Sequence, residues 1–85
     1  MMKNYSLKNL GSNKVEINYL SGLSLLFSYN TLVSVFTNGK YIRTSKNWSR
    51  TTSRHINSWI LPNFKVEEME QEKLENTFLK GIEYV

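Results

Sequence analysis

Lys40, Arg43, Lys46, Arg50 and Arg54 fall within one short stretch, interleaved with Ser49, Thr51 and His55. Cations mixed with hydroxyl groups suit phosphate oxygens, because the ammonium and guanidinium groups supply charge and the hydroxyls supply further donors. Arg50 and Arg54 are four apart, which places them one above the other on a helix. Ser49 stands where that helix would begin, and the free amides of a first turn strengthen a field that attracts anions. The candidate nucleic-acid or anion-binding residues are therefore Lys40, Arg43, Lys46, Ser49, Arg50, Thr51, Arg54 and His55. The competing reading is ordinary solvated charge. The chain carries no zinc-finger spacing, RNP pattern, GxxG loop or convincing helix-turn-helix to name a nucleic-acid reader.

Conventional catalysis has little to draw on. The chain holds one His, no Cys and no Asp. A Ser–His–Asp triad, a thiolate nucleophile and a His- or Cys-rich metal site cannot be assembled from one copy. The expectation is a non-enzymatic protein with no metal and no cofactor. His55 reads first as a packed or capping residue and second as a phosphate or base contact. Trp59 reads as core and Trp48 as core or half-exposed beside the cations. Tyr29 and Tyr41 are able to stack on bases, although on hairpin strands they more often pack across the sheet.

The charge is divided along the chain. From Met1 to Lys65, nine Lys or Arg stand against Glu16 alone; from Val66 onward, six Glu stand against Lys73 and Lys80. A basic body with an acidic end implies an anionic partner for the body or contact between the two halves. At 85 residues, with a hydrophobic share of 40%, the chain is sized for one domain with a modest core. No run reaches a membrane span, and no hydrophobic block follows the lysines of the first residues as a signal peptide would require. The expected location is cytoplasmic.

Alternating residues predict strands at Lys14–Leu20, Ser24–Tyr29, Leu32–Thr37 and Lys40–Thr44. In the third, Val33, Val35 and Thr37 are expected on one face, with Leu32, Ser34 and Phe36 on the other. Asn38–Gly39 is a strong hairpin signal, since both residues tolerate the positive φ of a type I′ turn. Ser49 caps a helix over about Arg50–Ile60, with Thr52, His55, Ile56, Trp59 and Ile60 on its inner stripe, and Pro62 stops it. Asn63–Val66 reads as a short strand at most. Glu67–Lys80 reads as an acidic helix with a thin apolar line at Leu74, Phe78 and Ile82, ended near Gly81. The expected organisation is an N-terminal arm over 1–13, where Tyr5, Leu7 and Leu10 read equally as a short strand or as a loose arm, a sheet and basic helix over 14–61, and an acidic helical segment over 62–85. The expected fold is α+β: an antiparallel sheet of three or four strands with one helix packed on it, plus the acidic C-terminal helix.

The run Tyr29-x-Thr31-x-Val33, then Asn38–Gly39, then Trp48-Ser49-x-Thr51-Thr52-x-Arg54-His55-x-x-x-Trp59 resembles a family of small uncharacterised proteins of bacteriophages and phage-derived regions. Ser34 stands where that family usually has alanine, and Trp48 where it often has tyrosine. The resemblance implies no agreed activity. It implies a phage accessory role in the host cytoplasm and directs attention to Ser49, Thr51, Thr52, Arg54 and His55. The leading expectation is binding of DNA, RNA or a nucleoprotein through the basic helix face. The alternatives are a protein–protein inhibitor of a host defence or transcription component, and a homo-oligomeric structural protein.

Overall fold

The computed structural model describes residues 5–79. Its elements are β1 (Tyr5–Gly11), β2 (Lys14–Tyr19), β3 (Ser24–Ser28), β4 (Thr31–Thr37), β5 (Lys40–Thr44), α1 (Arg50–Trp59), β6 (Lys65–Met69) and α2 (Gln71–Phe78). All six strands join one sheet in chain order. β1 to β5 form an antiparallel meander, and β6 returns through α1 to lie parallel to β5. A parallel return needs a long connection, and α1 supplies it.

This architecture overturns the expected sheet of three or four antiparallel strands with one packed helix. The sheet is six-stranded and mixed, and a helix covers each face. The extra strands were hard to read for different reasons. β1 is an edge strand with mostly exposed side chains, so its sequence has little apolar alternation to display. β6 includes Glu67, Glu68 and Met69, which favour helix, yet their backbone pairs with Ile42, Arg43 and Thr44. Sheet pairing overrides that propensity. Glu67 also bridges Lys40 at 3.0 Å and Lys65 at 3.4 Å. The acidic helix therefore begins at Gln71 rather than Glu67. Gly81 and Ile82 lie outside the described residues.

Side chains alternate between the two faces of the sheet. On one face, Leu25, Leu32, Val35 and Ile42 pack with Leu74 of α2. On the other, Leu26 and Val33 pack with Ile56 of α1. Leu32 and Val35 share a face although they are three apart. The cause is a bulge: Leu26 opposes Ser34 and Phe27 opposes Leu32, which leaves Val33 as the extra residue. The strict alternation expected for Leu32–Thr37 fails there, because one unpaired residue reverses the phase of the strand.

The turns follow from local chemistry. Asn38 and Gly39 have φ of +52° and +76°, as a type I′ hairpin requires. Tyr29 and Asn30 form a second such turn, with φ of +50° and +66°. Asn tolerates that backbone readily, whereas a bulky residue such as Tyr costs about 1 kcal/mol there. In α1, Ser49 is extended and its Oγ accepts from the Thr52 amide at 3.1 Å. The helix ends at Ile60, ahead of Pro62.

Candidate functional site

The ends of several elements meet at one pole of the sheet. The Ser12–Asn13 turn, the Tyr29–Asn30 turn, the carboxyl ends of β5 and β6, and the amino ends of both helices all lie there, as the strand registers require. Ligands of α/β sheets favour the carboxyl ends of parallel strands, where loops diverge and helix amides point outward. At this pole a cleft of about 240 Å³ is bounded by Tyr29, Thr31, Val33, Trp48, Ser49 and Thr52.

Two aromatic residues of this cleft remain accessible: Tyr29 is 52% exposed and Trp48 is 41% exposed. Both are held in place. Tyr29 stacks on the His55 ring with centroids 6.0 Å apart and planes inclined by 28°. The left-handed backbone of Tyr29 belongs to the tight turn that carries it to this end of the strand. Trp48 donates its indole N–H to Gln71 Oε1 at 3.2 Å, while the Lys46 ammonium sits 3.9 Å from its ring centre.

Behind Tyr29 lies a buried polar chain. Ser28 Oγ is 2.8 Å from His55 Nδ1 and 3.0 Å from Thr52 Oγ1. With Nδ1 as the acceptor, Ser28 donates to the ring and Thr52 donates to Ser28. All three residues are buried. Burial pushes the His55 pKa down, and the nearby Lys14 charge lowers it further. The ring therefore favours its neutral form. Among the described residues no carboxylate orients it, and the Ser28 hydroxyl is turned into the protein, so the trio fixes α1 on β3 rather than presenting a nucleophile.

The eight residues singled out from sequence separate into three groups. Ser49, Arg50, Thr51 and Arg54 lie at the start and on the exposed side of α1, and Lys46 sits beside Trp48 at the same pole. Arg43 shares the α1 face and donates to Asn57 Oδ1 at 3.0 Å. Lys40 does not join them: it points to the opposite face, where Glu67 binds it. His55 is buried beneath Tyr29 and contributes its Nδ1 to the inner chain. Lys14 was not singled out, yet it opposes Ser28 on β2 and so brings a cation to the α1 face. Its two-residue spacing from Glu16 in an alternating strand is the signal that could have placed it there.

The described part of the acidic helix, Gln71–Phe78, lies on the other face of the sheet. Leu74 anchors α2 to the far face of the sheet, so its glutamates lie across the sheet from Arg50 and Arg54. Among the described residues no group of three His, Cys, Asp or Glu is placed to hold a metal ion. No described helix is long and apolar enough to cross a membrane.

No curated protein and no solved structure matches this chain. A family model does, over residues 2–76, which include every described strand and most of α2. The chain belongs to that family, a family of unknown function (DUF8033).

Proposed function

We propose that the protein binds single-stranded nucleic acid across the α1 face, with bases stacking at the Tyr29–Trp48 cleft. The observation that carries this reading is the presence of two half-exposed aromatic rings on one cleft, beside a helix whose outer side carries Arg50 and Arg54. Stacking of unpaired bases on aromatic rings, with cations along the phosphate path, is the general physics of single-strand binding. A duplex hides its base faces and would engage only the cations. The resemblance to phage proteins supports a setting in which such a module serves as an accessory factor.

The test is titration of labelled single-stranded and duplex DNA and RNA at low and moderate salt. Single strands bind more tightly than duplexes, and their affinity falls steeply as salt rises. Trp48→Ala and Tyr29→Ala each weaken single-strand binding by about fivefold to a hundredfold, the usual range for one stacked base. Arg50→Ala/Arg54→Ala lowers the salt slope by about one to two. Absence of binding at low salt ends the proposal, and equal binding of duplexes with no loss in Trp48→Ala removes the stacking part of it.

A further inference from the structure

A second cleft lies on the same face at the far end of α1. We propose that it binds a methylated ammonium group. Its volume is about 430 Å³, and Phe36, Tyr41, Trp59 and Phe64 line it together with the carboxylate of Glu16.

The walls come from four separate parts of the chain. Phe36 and Tyr41 are register partners on β4 and β5, with ring centres 4.7 Å apart. Tyr41 is 5% exposed and forms the floor. Trp59, in the last turn of α1, meets Tyr41 at 5.4 Å and 80°. Phe64, from the loop before β6, meets Phe36 at 5.4 Å and 87° and Tyr41 at 5.7 Å and 84°. Phe36 and Tyr41 are tilted by 55°, and the other three pairs pack edge to face, so the rings hold one another in place beside the cleft. Phe64 stays 42% exposed at the rim, so the cleft opens to solvent.

Glu16 decides the ligand class. One of its carboxylate oxygens accepts from the Trp59 indole N–H. The other accepts from the Asn18 side-chain amide at 2.8 Å, and Ser24 donates to Asn18 Oδ1 at 2.6 Å. These donors are neutral, so they fix the carboxylate without cancelling its charge. Lys8 is its cross-strand partner, yet among the described residues Glu16 forms no ion pair. A fixed negative charge beside aromatic rings, whose faces are themselves electron-rich, attracts a cation. Most of the lining is apolar, and the carboxylate already accepts two hydrogen bonds. A bare ammonium would exchange its water shell for few acceptors. A methylated ammonium carries the same charge under an apolar surface and loses less. The site stands independently of the nucleic-acid reading, since it uses the opposite end of α1 and none of the same side chains.

The Trp59 indole N–H is a direct reporter, because it donates to Glu16 within the site. Its proton resonance is assigned by its loss in Trp59→Phe. The full-length protein is then titrated with choline, with trimethyl-lysine, with unmethylated lysine, and with 3,3-dimethylbutanol as the neutral isostere of choline. Choline or trimethyl-lysine shifts the resonance saturably, and lysine and the isostere bind about tenfold more weakly or less. The tighter of the two methylated cations identifies a free small cation or a modified side chain as the source. In Glu16→Gln, followed by backbone amides of β4 and β5, cation affinity falls about tenfold while the isostere is unaffected. Phe36→Ala, checked for folding by circular dichroism, weakens both. Equal affinity for the isostere and choline, or no saturable shift with either methylated cation, overturns the proposal.

Discussion

The two faces of the sheet are built from different materials. The face under α2 has an apolar centre of Leu25, Leu32, Val35, Ile42 and Leu74, and its buried Thr44 only accepts from the nearby Lys46 amide. The face under α1 sets Leu26, Val33 and Ile56 beside buried Ser28, Ser34, Thr52 and His55. Ser34 donates to the Ile42 carbonyl, and the other three satisfy one another. Burial of apolar surface is non-directional, so the α2 face contributes stability with little demand on orientation. Buried hydrogen bonds add little net stability but penalise every misplaced arrangement. The α1 face thus specifies where its helix sits, and both clefts depend on that placement. Charge divides the same way, with the outward arginines of α1 on one side and the glutamates of α2 on the other.

The comparison breaks most sharply at Leu74. Leu74→Ala should cost about 2–5 kcal/mol, because it empties a fully buried site beneath α2. Denaturant unfolding measures this, and a loss below about 1 kcal/mol would mean that α2 contributes little to the apolar face. Ser28→Ala is the matching cut on the other face. It leaves His55 Nδ1 and the Thr52 hydroxyl without their shared partner, for about 1–3 kcal/mol. If Ser28→Ala proves neutral, the polar chain does not fix the helix.

A pH titration of stability sharpens the contrast further. His55 in the folded protein titrates below its ordinary value of 6.5, by burial first and by Lys14 second. The unfolded chain therefore takes up a proton, as pH falls through 6.5, that the folded chain resists. The stability from neutral His55 is fully present above that pH and is lost as pH falls through the folded value. His55→Gln should flatten this part of the stability profile, and an unchanged profile would assign the acid loss to other groups. The smallest expected effect is on the surface: Arg50→Ala/Arg54→Ala should shift stability by less than about 0.5 kcal/mol per residue. A larger shift would give the arginines a structural role and complicate their use in binding tests.

Much of the central architecture was legible from local signals. The Asn38–Gly39 turn, the Ser49 cap and the Thr52–His55–Ile56 stripe each depend on residues close in sequence, and each is present. What stayed hidden depended on distant partners. The alternation of Leu32–Thr37 gave no sign of the Val33 bulge, which is defined by the register against β3. Nothing local separates Glu67–Met69 as strand from Gln71–Phe78 as helix, because only the edge of β5 makes the distinction. The site was legible in part: Ser49, Arg50, Thr51 and Arg54 group on α1, whereas Lys40 leaves for the other face by the parity of a single strand position. The carboxylate–aromatic cleft joins Glu16 to Trp59 across 43 positions, about half of the chain and beyond the reach of any spacing rule.

The parallel return of β6 also implies an expected order of assembly. Strands β1 to β5 each pair with a neighbour already made, so their loops are short to close. β6 must wait for α1 to span the sheet, and α2 follows it. On that basis Leu25, Leu32, Val35 and Ile42 are expected to gain their cover last, and a chain caught before that step would present a sticky flank to its neighbours. Native-state hydrogen exchange would register this as β6 amides that open at lower free energy than those of β3 and β4. Uniform protection across the sheet would instead show that the edge and the meander close together.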